Sequence, residues 1–224
     1  MAEHLLSRGL PVVAPSRAVP AGPHPCGPCG LTFWDFVDGE PADDLPAATT
    51  GPLLRDLHAA LADYHASPSL PLWTCALEAA AATVLDSAAV APLPAADRAL
   101  LHRLHVELRA QIDAAAVRLQ PIHGDARPGN LLQTNNGLHW MDFEAVCLGP
   151  VEWDTASMPL GTEAWLPDAD TALVAVLRRM RQVCLVIWCW SQYARTTEIA
   201  RAAEFHLARL KDDIRPSSGT TGGR

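Results

Sequence analysis

The sequence has no excess of positive charge, because its 17 lysine and arginine residues are outnumbered by 25 aspartate and glutamate residues. The resulting formal net charge of −8 disfavours a broad electrostatic attraction to nucleic acid or to an anionic membrane surface. We therefore predict no nucleic-acid partner and no membrane partner. The acidic balance is compatible with a cationic small-molecule substrate.

Long hydrophobic runs and a disulfide framework are also missing. The longest apolar run, residues 183–190, is far shorter than the roughly 20 residues that a membrane-spanning helix needs. No basic stretch near the N-terminus leads into a long apolar one, so no signal peptide is predicted. The six cysteines are spread unevenly over a chain of this size, which favours a reducing cytoplasm as the location.

The N-terminal part of the sequence predicts turns and short extended pieces. Residues 2–8 have the pattern of a helix end, which Gly9 terminates. Proline and glycine are then dense between residues 11 and 28, which predicts turns and strand fragments. Residues 31–37, LTFWDFV, alternate aromatic and β-branched side chains, and this alternation predicts a strand.

The remainder predicts helices with one hairpin among them. Five helices are predicted. The first begins after a cap at Thr49 or Thr50, the second covers about 72–90, and the third begins near Pro94. The last two cover about 169–193 and about 196–213. Asn135, Asn136 and Gly137 predict the turn of a hairpin between two short strands. Strands and helices are segregated along the chain, so we predict an α+β fold and no doubly wound parallel sheet.

The most informative stretch is HGDARPGN, residues 123–130, followed after the hairpin by the triplet DFE. Phosphoryl transfer needs an aligned hydroxyl, an acceptor for its proton and neutralised phosphate charge. On this loop Asp125 would orient and deprotonate the hydroxyl. Asn130 and Asp142 would offer the hard oxygen ligands that Mg²⁺ prefers.

These residues resemble the HGDxxxxN catalytic loop and the metal-binding aspartate of the aminoglycoside phosphotransferase and choline kinase family, relatives of the protein kinases. The resemblance implies ATP- and Mg²⁺-dependent transfer of phosphate to a hydroxyl of a small molecule. It assigns Asp125 as the catalytic base and Asn130 and Asp142 as magnesium ligands. It further implies that His123 braces the loop and that Asp154 anchors the loop at a helix start.

The resemblance extends to the segment before the helices. Residues 33–39, FWDFVDG, resemble the family's hinge strand, which implies that backbone groups near Asp35 and Val37 meet the adenine. Leu57 and His58 resemble a leucine-histidine pair in a family helix after the hinge. The implied division is a remnant of the nucleotide-binding lobe with the hinge at 1–39, a helical catalytic lobe at 40–214 and a flexible tail at 215–224.

Three features that the family pattern places before the hinge are not found here: a glycine loop over the phosphates, a lysine on a strand, and a glutamate that pairs with this lysine. Lys211 is the only lysine, and Glu3 lies too close to Pro11 for the glutamate's position. We therefore expect either a truncated or mis-started reading frame or a natural remnant, with impaired activity. As an alternative, the chain is a non-catalytic remnant that binds a ligand or partner. The exposed edge of the strand predicted at 31–37 also predicts self-association.

Cys26, Gly27, Pro28 and Cys29 have the letters of a thioredoxin redox motif. That chemistry needs the first cysteine at a helix N-terminus, whereas these residues lie among prolines and before a predicted strand. We predict an irregular loop between two extended segments and keep thiol redox chemistry as a lesser alternative.

Overall fold

The computed structural model describes residues 1–20, 22–65, 70–86, 88–90 and 92–214 of the chain, so the tail predicted at 215–224 lies outside the described residues. Seven α-helices are present in the described part: α1 Ala2–Ser7, α2 Ala47–Leu61, α3 Thr74–Leu85, α4 Ala95–Asp113, α5 Val151–Thr155, α6 Thr171–Ser191 and α7 Thr197–Asp213. None of them is long and apolar enough to cross a membrane.

The strands in the described residues are short and form three small antiparallel arrangements. They are β1 His24–Cys26 with β2 Cys29–Leu31, β3 Glu40–Pro41 with β5 Leu131–Thr134 and β6 Gly137–Trp140, and β4 Gln120–Ile122 with β7 Cys147–Gly149. In the part of the chain that the structure describes, helices and small antiparallel sheets occur without a large parallel sheet, and the predicted α+β class is confirmed.

The chain divides into two compact units. One contains Met1–Thr74 and Ala115–Leu177, and the other contains Cys75–Ala114 and Arg178–Arg224. The core of the first unit joins α1, α2 and the β5–β6 hairpin through fully buried side chains such as Leu57. The lobe boundaries at 1–39 and 40–214 stay a prediction.

Two sequence predictions about local structure are wrong. Residues 31–37 do not form one strand, because β2 ends at Leu31 and Trp34 makes only an isolated bridge to Pro15. A strand needs a partner along its length, and here only residues 14–16 lie opposite. The first long helix is not capped by Thr49 or Thr50, since α2 begins at Ala47 after Pro46.

Other local predictions are confirmed. Gly9 has a positive φ of 77° just after α1, as expected of a glycine that ends a helix. Pro94 is the N-cap residue of α4. In the hairpin Thr134 pairs with Gly137, so Asn135 and Asn136 form its two-residue turn.

Candidate active site

The loop at 123–130 is held at both ends by short strands. β4 leads into the loop and pairs with β7, with Ile122 opposite Cys147. The loop ends in a 3₁₀ turn, Pro128–Asn130, which continues directly into β5. Both ends of the loop are therefore fixed to strands that are themselves paired.

Asp154 anchors the start of the loop from α5. Its carboxylate accepts hydrogen bonds from the backbone N–H of His123 and of Gly124, both at 2.9 Å. The Nε2–H of His58, on α2, donates to the same carboxylate at 3.0 Å. Asp154 is fully buried, so these charge-assisted bonds form out of contact with water and orient the loop. The geometry agrees with the anchoring role that the resemblance implies.

Gly124 is the tightest point of the loop. Its φ of +85° lies in the left-handed region, and a Cβ at this position would overlap the carbonyl oxygen of Ala145. The indole Nε1 of Trp153 donates to the Gly124 carbonyl at 2.9 Å. Only glycine fits between these neighbours without a backbone shift.

Asp125 and Asn130, five residues apart, lie in direct contact. The Asn130 Nδ2 amide donates to the Asp125 carbonyl at 2.8 Å and to its Oδ2 at 3.1 Å. Arg127 Nε lies 3.2 Å from the same Oδ2. Because the Asn130 amide nitrogen is engaged in this way, the side-chain oxygen of Asn130 is the atom that remains to bind a cation.

His123 lies in the protein core and bonds to the segment that follows the hairpin. It is fully buried, and its Nε2–H donates to the carbonyl of Met141 at 3.0 Å, since a carbonyl can only accept. Its ring also contacts those of Trp140 and Phe143, with centroids 5.5 and 4.8 Å away. The bracing function implied for His123 is consistent with these contacts.

Asp142 follows Met141, whose N–H donates to the Asn130 carbonyl at 3.0 Å, so the backbone of Asp142 lies beside the end of the loop at 123–130. Asp142 is exposed and is the one non-glycine residue with positive φ, 62°, among the described residues. Such strained backbone at an exposed carboxylate is typical of functional sites. The described residues hold no group of three His, Cys, Asp or Glu for a metal. The side-chain oxygens of Asn130 and Asp142 are of the hard kind that Mg²⁺ prefers, and this ion commonly takes its other ligands from phosphates and water.

Residues 33–39, the predicted hinge, contact the DFE triplet through aromatic rings. Trp34 stacks on Phe143, the residue after Asp142, with ring centroids 6.3 Å apart. The Asp35 N–H donates to the Ala14 carbonyl at 2.9 Å, so this N–H is already used. No backbone hydrogen bond of the Val37 N–H is found in the described part of the chain.

Cys26 and Cys29 are not in an irregular loop as predicted. They close a hairpin, at the end of β1 and the start of β2, and a two-residue turn of Gly27 and Pro28 separates them. Gly27 supplies the positive φ, 59°, that this turn needs. Neither thiol lies at a helix N-terminus, which a thioredoxin-type active site requires.

Three contacts around the loop are not predicted from the sequence. The bond between His58 and Asp154 joins residues 96 positions apart, and neither the Trp153 indole nor the stacking of Trp34 on Phe143 has a local signal. A histidine on the apolar face of α2 was the available clue to the first of them.

A carboxylate and an amide in contact on an anchored loop, followed by a hairpin and an exposed aspartate, form the arrangement that the sequence predicts for a kinase-type phosphotransferase site in an α+β fold. The sequence profile described as the phosphotransferase enzyme family, APH, matches residues 1–194. The chain belongs to this family. A comparison with curated protein sequences finds no significant match.

Solved structures share the fold at low sequence identity. A choline/ethanolamine kinase family protein from Mesorhizobium loti is 17% identical, with a TM-score of 0.65, and the alignment covers 96% of this chain and 78% of that one. An amicoumacin kinase in complex with AMP-PNP and Ca²⁺ is 13% identical, with a TM-score of 0.69 and coverages of 95% and 75%. The GDP complex of aminoglycoside 2′-phosphotransferase-IIIa is 18% identical, with a TM-score of 0.63 and coverages of 95% and 81%.

Proposed function

We propose that the chain transfers the γ-phosphoryl group of ATP to a hydroxyl of a small molecule, with Mg²⁺ as cofactor. The observation that carries this proposal is the contact of the Asp125 carboxylate with the Asn130 amide on a loop anchored by Asp154. Kinase-type catalysis consists mainly of positioning and electrostatic stabilisation, and this loop provides a proton acceptor and a cation ligand at fixed positions.

Each residue of the site has one task in the proposed reaction. Asp125 orients the acceptor hydroxyl and accepts its proton as the oxygen attacks phosphorus. Asn130 and Asp142 hold Mg²⁺, which, when bound, neutralises charge on the β- and γ-phosphates. Asn130 also donates to Oδ2 of Asp125, which restricts the carboxylate to one orientation. Asp154 and His123 act through the backbone of the loop and touch neither reactant.

The adenine is proposed to lie against residues 35–37. Since the Asp35 N–H is bonded to Ala14, the groups left for an adenine edge are the Asp35 carbonyl and the Val37 N–H. Stacking of Trp34 on Phe143 links this segment to the residue next to Asp142. A base bound at the hinge would then direct its phosphates toward the proposed magnesium ligands.

The acceptor is proposed only as a small-molecule alcohol. Solved structures with this fold include a choline kinase and a spectinomycin phosphotransferase, whose names specify chemically different acceptors. The net charge of −8 is compatible with a cationic acceptor for this chain.

Replacing Asp125 by asparagine tests the catalytic assignment. At millimolar Mg·ATP and with a panel of amino alcohols and aminoglycosides, we expect slow ADP formation by the wild-type chain and a loss of about 10²–10⁴-fold in Asp125→Asn. The matched control is Asp44→Asn, which neutralises an exposed carboxylate outside the loop and should leave the rate unchanged. An unchanged rate in Asp125→Asn would refute the assignment of the base. If the wild-type chain binds an acceptor without any ADP formation, the non-catalytic alternative is favoured.

We expect the 224-residue chain to bind Mg·ATP weakly, with a Kd of about 1 mM or higher. Kinase folds hold the triphosphate with a lysine and a glycine loop. The only lysine here, Lys211, lies in α7 and binds Asp97 at 2.5 Å. Calorimetric titration measures the affinity, and Lys211→Met should leave it unchanged. Binding at low micromolar Kd would show that the residues present suffice to hold the phosphates.

A further inference from the structure

The hairpin formed by β1 and β2 brings two thiols together outside the proposed active site. Cys26 and Cys29 are direct partners in the antiparallel register, on either side of the turn of Gly27 and Pro28. Both are exposed, and neither is in a disulfide. We propose that they form a dithiol site that exchanges with low-molecular-weight disulfides and closes to an intramolecular disulfide.

The geometry of the strand pair favours closure. Cross-strand partners point to the same face of a hairpin, with Cα atoms about 4.5–5.5 Å apart, inside the range of about 4.4–6.8 Å found in disulfides. Their Cβ atoms, about 4.5–5.5 Å apart in such pairs, must approach by roughly 1 Å to form the bond. A Cβ added to Gly27 would meet no atom within 4 Å, so no neighbouring group crowds the turn at this residue.

The site suits a stoichiometric exchange and not catalytic turnover. Thioredoxin-type enzymes lower the pKa of the first cysteine with a helix N-terminus, whereas Cys26 ends a strand. The hairpin is also joined directly to the hinge segment, where the Ser16 N–H donates to the Phe33 carbonyl at 2.9 Å. Closure of the disulfide therefore restrains the chain just before the segment proposed to meet the adenine.

The reaction balances with a disulfide such as glutathione disulfide as the oxidant. One protein thiolate attacks a sulfur of the reagent, which forms a mixed disulfide and releases one glutathione thiolate. The second protein thiolate then attacks the protein sulfur of the mixed disulfide and releases the second glutathione. Two protein thiols are oxidised, one glutathione disulfide is reduced, and the two thiol protons pass to the released glutathione thiolates.

Mass spectrometry of tryptic peptides tests the proposal. The native chain is equilibrated in glutathione buffers, its free thiols are alkylated, and it is then cleaved. Residues 18–55 carry Cys26 and Cys29 as their only cysteines, and residues 56–98 carry only the exposed Cys75. We expect the first peptide to lose two hydrogen atoms without a glutathione adduct, and the Cys75 peptide to gain one adduct. Two adducts on the first peptide, or no reaction, would overturn the proposal.

Single variants and a urea-denatured control test whether disulfide closure depends on the folded hairpin or only on the short distance in sequence between the two cysteines. In Cys26→Ser and in Cys29→Ser the remaining thiol should retain one glutathione adduct. The equilibrium constant for closure should be at least about tenfold larger in the native chain than in urea, which corresponds to about 30 mV. Equal constants would show that the hairpin contributes nothing. Phenylarsine oxide, which bridges paired thiols, should bind the wild-type peptide 18–55 and neither variant, and binding to the variants would contradict the pairing.

Discussion

Replacing Gly124 by alanine is expected to lower the free energy of unfolding by about 2–5 kcal/mol, from the sum of two costs. The left-handed φ of +85° costs an L-residue about 1–2 kcal/mol. The added methyl group would also overlap the Ala145 carbonyl oxygen, and relieving such an overlap costs about 1–3 kcal/mol. Urea unfolding followed by circular dichroism gives the difference. Because Asp125 is the next residue, a backbone shift that relieves the overlap should also displace the proposed base.

Gly9→Ala is the matched control for this prediction. Gly9 has a similar φ, 77°, but a Cβ at this position would meet no atom within 4 Å. Its substitution should therefore cost only the conformational part, about 1–2 kcal/mol. The difference between the two variants isolates the overlap with Ala145. If both variants unfold at the same urea concentration, the close approach at Gly124 has no energetic consequence.

The sequence predicted the features that depend on neighbouring residues. The spacing of Asp125 and Asn130 places both on one short loop, and the two asparagines before Gly137 determine a two-residue turn. Gly9 marks the end of a helix and Pro94 the start of one, each within a single helical turn, and both predictions are confirmed. In each case the physical cause lies within a few residues of the structure that it produces.

Features that depend on distant residues could not be predicted in this way. Whether residues 31–37 form a strand depends on how many residues of another segment lie opposite them. The alternating pattern of side chains gives no information about that segment. The predicted start of α2 is wrong because Thr50 lies inside the helix, where its hydroxyl contacts Pro46 and Thr162, 112 positions away. A threonine that could have capped the helix is instead part of a tertiary contact inside it.

Asp154→Ala is expected to lower the free energy of unfolding by about 3–5 kcal/mol. The carboxylate is fully buried and accepts bonds from the N–H groups of His123 and Gly124. Removing it leaves both amides without these acceptors in a site closed to water, and each unsatisfied group costs about 1–3 kcal/mol. Asp154→Asn keeps one acceptor oxygen and should cost less than the alanine variant. Urea unfolding of both variants measures the two losses.

Two comparisons decide whether the loss comes from the buried network. Asp113→Ala removes an exposed carboxylate that pairs with Arg109, and it should cost less than about 1 kcal/mol. The double variant His58→Ala with Asp154→Ala should cost less than the sum of the single variants, because both remove the same 3.0 Å bond. Additive losses would mean that His58 and Asp154 stabilise the fold independently. A loss in Asp154→Ala no larger than that in Asp113→Ala would mean that other contacts hold the loop at 123–130, since the amides of His123 and Gly124 would then tolerate the missing carboxylate.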